Sequence, residues 1–367
     1  MISLNTVYEN QDEIGGFFEY PEHSHTAGKN SVFSYLTGIP KRRISCPPVF
    51  VRDGRQAIFA VLHHNRKRLK KAICYLPAYL CRSMIQPFSD NDLKVRFYHH
   101  TPPLTPVIDY GIKNSLLLIN DLFGVPALSK KEILEISENN IIILDITHSI
   151  FDSSRLRISA DNIYVIASLR KVFPICDGGI IYSSDPSFHP RLSDPTGWET
   201  MLEAMFLKRY YLNTQTPSSL ETVKQGFRQM YDRYSEKKGL PIRHMEKIPD
   251  ISIVSLQSLN YSDIRKKRQT NLERFYANIS GHYFLYPLKS ITSPFIAPII
   301  FENNRKRNHK RMELIRRNVF PPVHWNLPSE IPLTFAHEYE ISRRILSVPI
   351  DQRYYPSLYE RFFDVFE

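Results

Sequence analysis

The 367-residue sequence holds no apolar run close to the ~20 residues that cross a bilayer, so no membrane-spanning helix is expected. Its opening residues, MISLNTVYENQDEIGGFF, lack a basic stretch followed by an apolar one, and no secretory signal peptide is expected. The four cysteines, Cys46, Cys74, Cys81 and Cys176, have neither C-x-x-C nor Cys/His ligand spacing. That excludes a zinc site and a disulfide framework as readings, and a reduced, cytoplasmic protein is the expectation. Internal repeats and low-complexity tracts are absent. No recognition-helix, zinc-finger or RNP pattern is present, so nucleic acid is not an expected partner.

Against these absences stands an ordinary globular composition, 42% hydrophobic and 23% charged, in a chain long enough for a large α/β domain and a smaller companion. The formal charge of +11 is less ordinary. A basic surface suits small anionic substrates such as nucleotides and phosphates, and equally an unremarkable charged exterior. Its clusters are Lys41-Arg42-Arg43, Arg66-Lys67-Arg68-Lys70-Lys71, Arg265-Lys266-Lys267-Arg268 and Asn304-Arg305-Lys306-Arg307. All four read as solvated helix faces or loops.

Residues 1–45 have little periodicity and read as an N-terminal arm with a short helix. From Val49–Val51 onward the pattern alternates. Strands are expected at 72–77, 94–98, 115–120, 141–145, 162–167 and 179–183, with helices at 57–62, 83–88 and 129–139. Continuous β-branched runs separated by helices indicate a doubly wound, mostly parallel sheet buried on both faces. Residues 46–250 would form this large domain. A basic amphipathic helical stretch covers 198–238, and one long helix is expected over 253–280. The remaining part of 251–367 changes character, with strands at 295–301 and 346–350 and helices at 309–318 and from Pro356. It reads as a small α+β C-terminal domain joined by that helix.

Three elements stand at the ends of expected strands, where open α/β sheets place their ligands. Gly54-Arg55-Gln56 opens a helix behind Asp53, offering amides and the positive end of a helix dipole to a phosphate. Asp145 ends an apolar strand and can hold a protonated ring nitrogen; His148 follows by three. Ser168 precedes Lys171 by three, and Gly178-Gly179 follow. Each has a plainer reading when taken alone: a strand–helix turn, an N-cap, a satisfied loop histidine, a surface lysine. The order and spacing together suit pyridoxal phosphate (PLP), which needs a phosphate cradle, a carboxylate for its pyridinium and a lysine for its aldehyde.

These residues also carry a resemblance. Asp145-Ile146-Thr147-His148-Ser149 resembles the Asp-Ala-Ala-(Gln/His)-(Ala/Ser) motif of the DegT/DnrJ/StrS sugar aminotransferases. Ala167-Ser168-Leu169-Arg170-Lys171 with Asp177-Gly178-Gly179 is similar to that family's lysine segment. Gly54-Arg55-Gln56-Ala57-Ile58, Leu76-Pro77-Ala78-Tyr79, 320–325 and 346–353 add weaker likeness, so the resemblance runs from about residue 48 to the C-terminus. It implies a fold type I PLP transferase with Lys171 carrying the cofactor, Asp145 on the pyridine nitrogen and His148 near the ring hydroxyl. Gly54, Arg55, Gln56 and Ser168 would hold the phosphate. It further implies a homodimer that passes an amino group, from glutamate or another amino acid, to a keto sugar. The sugar would be nucleotide-linked, and its pathway would make cell-surface polysaccharide or a related product. Departures are visible. Cys81 stands where members place a ring-stacking aromatic, with Tyr79 the nearest substitute. Two residues fewer separate Ser168 from Lys171, and only Asn213 offers itself for the segment a partner subunit commonly contributes. These departures keep open another PLP reaction, such as dehydration or elimination, or a non-catalytic binding paralogue.

Overall fold

The computed structural model describes residues 13–21, 28–38, 47–214 and 217–367. Most of the expected arm, the Lys41-Arg42-Arg43 cluster and Cys46 lie outside them. Strand β1 is Ile14–Gly15 and α1 Val32–Gly38; β2 (Val49–Val51) leads into α2 (Gly54–His64) and α3 (Arg66–Leu69). Alternation then follows as β3 (Ile73–Pro77), α4 (Arg82–Ser89) and β4 (Lys94–Tyr98), a small β5/β6 hairpin (His100–Thr101, Thr105–Pro106), β7 (Leu116–Asn120), α5 (Lys130–Ser137), β8 (Ile141–Asp145), β9 (Ile163–Ser168) and β10 (Gly179–Ser183). Helices α6 (Glu199–Asn213), α7 (Pro217–Lys238), α8 (Asp250–Ser258) and α9 (Tyr261–Asn278) come next. The chain closes with β11 (Ala297–Ile300), α10 (Asn304–Arg316), β12 (Val319–Phe320), α11 (Ala336–Arg344), β13 (Ile345–Val348) and a 3-10 helix at Pro356–Phe366.

The central sheet has seven strands in the order β2-β10-β9-β8-β7-β3-β4. Pairs from β9 through β4 are parallel, whereas β10 runs antiparallel to both β9 and β2. Every residue of β7, β9 and β10 is buried. The reason is visible in the packing: Leu117, Ile119, Ile142, Leu144 and Val165 enter one apolar core, and Leu116, Leu118, Ile141, Ile143 and Ile166 another. Alternate residues thus feed layers on both faces, as a parallel sheet requires. The parallel strands β7, β8 and β9 end together at Asn120, Asp145 and Ser168, and the site is built on that edge.

Two sequence expectations change. The helix expected over 253–280 is divided, because Leu259 is extended and the Asn260 side chain accepts from the Asp263 amide at 3.2 Å, capping a new helix. The basic clusters are also not wholly solvated. Arg268 is 1% exposed and Arg307 8%. Arg268 sits on the same face of α9 as Ile264 and Leu272, and there it donates to four acceptors: Gln352 Oε1, Phe295 O, Pro294 O and Val172 O. Burial pulls its guanidinium down to about 10. Among the described residues no helix is long and apolar enough to cross a membrane.

Candidate active site

Helix α2 starts where the sequence suggested. Asp53 is extended and caps it, accepting from the Gln56 amide at 2.9 Å. Gly54 brings the helix end against β9, for a Cβ there would lie 3.0 Å from the Ser168 Cβ. Gly179 lets β10 pass under the same turn; a Cβ would stand 2.5 Å from the Asp53 carbonyl carbon and oxygen. A Cβ at Gly178 would meet Ile175 Cδ1 at 2.7 Å. The Gly178-Gly179 pair therefore serves close packing of the cradle rather than a left-handed turn.

One cleft of about 610 Å³ collects Gly54, Arg55, Asp145, Ser168 and Lys171, together with Thr147, Arg170 and Lys238. Lys171 is an exposed residue, and the space it lines is this cleft and a second cavity beside it. Its turn is held from behind, since Val172 O accepts from Arg268 Nη2 at 3.1 Å and Gln352 Nε2 at 3.3 Å. Thr147 knits the strand ends together. Its amide and hydroxyl donate to Asp145 Oδ1 at 2.8 and 2.5 Å, and its hydroxyl oxygen accepts from the Ser168 amide at 2.9 Å. Burial raises the Asp145 carboxyl above its ordinary range, against the opposing pull of Thr147 and Lys171.

His148 lines neither cavity. It is buried, its Nδ1 accepts from the Phe123 amide at 3.1 Å, and its ring stacks on Phe295 at 3.9 Å. Burial first, and then Lys171 and His324, keep it neutral, so Nε2 carries its proton. Gln56 turns away from the cleft: its Oε1 accepts from the Glu246 amide at 2.6 Å. Tyr79 is fully buried beside Trp325, and its hydroxyl donates to His324 O. Cys81 precedes α4 with Sγ 3.0 Å from Ser83 Oγ. Among the described residues no aromatic side chain lines the first cleft.

Sequence reading missed two parts of the arrangement. Asp121, following β7, is a second strand-end carboxylate, but Arg155 grips it from Nε and Nη2, both at 2.8 Å. Lys238, the last residue of α7, bridges Asp53 (3.0 Å) and Asp177, which also faces Arg52 at 3.2 Å. No local signal marks Lys238, because α7 reads as a solvated basic helix. Burial alone would raise the Asp53 carboxyl, yet Lys238, Arg55 and the Gln56 amide hold it well below the carboxylate range. A depressed carboxyl contributes stability that is present above its unfolded value, about 3.9, and lost as pH falls toward the folded one. Asp53→Asn, which keeps the cap, should therefore cost roughly 1–3 kcal/mol at pH 7. In urea melts that difference should shrink progressively below about pH 4; a constant difference down to pH 2 would contradict the assignment.

The fold is a seven-stranded, mostly parallel α/β sheet, with Asp145, Ser168 and Lys171 gathered where its parallel strands end. No protein-family model matches the chain, and a search of curated proteins gives no match. Similarity appears in solved structures. A DegT/DnrJ/EryC1/StrS aminotransferase from Brucella abortus superposes with a TM-score of 0.59 at 13% identity, covering 91% of this chain and 89% of that one. Spr1654 from Streptococcus pneumoniae, in its PLP form, gives 0.61 at 12% identity, over 96% and 92%. DesI, in the presence of its TDP-sugar product, gives 0.61 at 11%, over 91% and 82%. The chain has the fold of these aminotransferases.

Proposed function

We propose that the chain is a PLP-dependent aminotransferase acting on a sugar, a member of the DegT/DnrJ/StrS group. The observation that carries this is the sharing of one cleft by Lys171, Asp145, Ser168 and the first turn of α2. These residues fit the cofactor's chemistry. The α2 amides at Gly54 and Arg55, the Arg55 side chain and the Ser168 hydroxyl suit a phosphate. A buried carboxyl with a raised pKa, as at Asp145, gains most from a cationic N–H partner. Thr147 fixes the orientation of that carboxylate through two donors. Ile58 and Met84 supply apolar contact in the cleft.

When bound, pyridoxal phosphate supplies an electron sink for the substrate's amine-bearing carbon. Lys171 would hold the cofactor, and its freed amine would carry the proton between the reacting carbons. Asp145 would keep the pyridine nitrogen protonated. His148, neutral and with its Nδ1 occupied, would support the wall behind this arrangement rather than exchange protons.

The finer parts of the reading are an amino-acid donor such as glutamate and a nucleotide-linked keto sugar as acceptor. The excess of positive charge and the TDP-sugar product of DesI support an anionic acceptor. We place the reaction in cell-surface polysaccharide or related biosynthesis, in the cytoplasm. A homodimer belongs to the same reading, and exposed Phe206 and Tyr210 on α6 are apolar surface for a second copy. So does the division into a large domain (46–250) and a small one (251–367).

Purified protein given pyridoxal phosphate should turn yellow, and an amino acid should bleach that absorbance as the amino group moves to the cofactor. A protein that stays colourless with excess cofactor would contradict the proposal. A second reading has one observation behind it. With Tyr79 buried and Cys81 at the head of α4, no aromatic ring among the described residues lines the cleft. A yellow protein that no amino acid bleaches would favour another PLP reaction or a binding role.

A further inference from the structure

The first cleft has a wall that neither α2 nor the strand ends supply. Ser235 and Lys238 from the last turn of α7, with Gly239 and Pro241 after it, line the cleft as well. This stretch is sewn to its neighbours. Gln86 Nε2 donates to Gly239 O at 2.8 Å, and the Ile242 amide donates to Asp90 Oδ2 at 3.2 Å, which ties it to the end of α4. Further on, the Glu246 amide donates to Gln56 Oε1, and Glu246 O accepts from the Arg52 amide at 2.9 Å. Lys238 adds its bridge to Asp53, the residue that caps α2.

One of these ties reaches a side chain of the phosphate cradle. Gln86 Oε1 accepts from Arg55 Nη1 at 2.6 Å, and both residues line the cleft with Ser168. A primary amide has one accepting oxygen and one donating nitrogen, so its partners decide which way it faces. Gly239 O can only accept, and it claims the nitrogen. The oxygen is left to Arg55, whose guanidinium can only donate. Turned over, the amide would set acceptor against acceptor and donor against donor. The chain of bonds from Gly239 O through Gln86 to Arg55 therefore runs in one sense only. Its anchor lies 153 residues from Gln86 in sequence.

We propose that Gln86 is a positioning residue for the cofactor's phosphate: anchored to the Gly239 carbonyl, it aims Arg55 at the first turn of α2. The proposal rests on the pyridoxal phosphate reading above. An arginine that grips an anion from a free state loses rotamer freedom as it binds. One already held at Nη1 has lost part of that freedom beforehand, and its remaining N–H groups keep a set direction. A guanidinium has five donors, so one can be spent on Gln86 while others meet the phosphate. The end of α7 thereby sets part of the phosphate site from within the same chain.

The test compares pyridoxal phosphate with pyridoxal, which carries the same ring and aldehyde and no phosphate. Dissociation constants for both are measured by absorbance on wild type, Gln86→Leu, Arg55→Met and the double variant. Wild type should prefer pyridoxal phosphate. Gln86→Leu should weaken pyridoxal phosphate about threefold to tenfold, the value of one oriented hydrogen bond, and leave pyridoxal unchanged. In the Arg55→Met background it should cost little more, because the side chain it aims is gone. The ratio of the two affinities within one variant does not depend on how much of it is folded, so a poorly folding variant still reports. Equal weakening of both ligands would give Gln86 a purely structural part and overturn the proposal. So would losses from the two substitutions that multiply, or a Gln86→Leu variant that binds both ligands as wild type does. Wild type that binds neither ligand would take the cofactor reading down, and this proposal with it.

Discussion

Lys171→Ala is expected to lower transamination by on the order of 10⁴-fold, because it removes both the cofactor attachment and the proton carrier. It should change the thermal midpoint by little. Lys171 is exposed, and among the described residues its amine makes no structural contact of the kind that holds Arg268 or Lys208. Activity measured beside a thermal melt separates the two effects. A variant that keeps more than a hundredth of the activity would show that another group does the chemistry.

Arg268→Ala should have the opposite profile. The guanidinium is 1% exposed, and its removal strands the carbonyls of Phe295 and Pro294 and the Gln352 amide oxygen, leaves Val172 O to Gln352 Nε2 alone, and opens a cavity. The loss is expected at roughly 3–5 kcal/mol in urea unfolding. Because Val172 follows Lys171, cofactor retention should weaken along with stability. Arg268→Lys should recover part of the stability through a single ammonium. A loss below 1 kcal/mol for the alanine variant would mean that water reaches those acceptors.

Much of the fold was legible because its cause is local. Runs such as Ile141–Leu144 are long enough for a strand and too short for a helix, and burial on both faces leaves them unbroken by polar residues. One cap was equally plain: Asp53 stands where its helix begins. Two signals were present and outweighed. Asn260 followed by Asp263 marks a cap inside the expected long helix, but the spacing of apolar residues continues across it. Arg268 lies four residues from both Ile264 and Leu272, on the buried stripe, yet its three basic neighbours made the run look solvated.

At the site, Gly54, Asp145, Ser168 and Lys171 could be found because parallel strand ends lie side by side. The contribution of Lys238 could not, since only the folding of α7 over the sheet brings it in. Tyr79 was read as a ring neighbour from its place after β3. Its hydroxyl is instead committed to His324 O, a partner 245 residues away that no local pattern reveals.

The central claim is that Lys171, among many lysines, is the one that carries the cofactor. Reducing the reconstituted protein with borohydride fixes the cofactor to whichever amine holds it, and peptide mass mapping then reads the position. The expected result is a single phosphopyridoxyl group on the peptide that contains Lys171, absent from Lys171→Ala. Labelling of another lysine with Lys171 unmodified, or no label on any peptide, would contradict it.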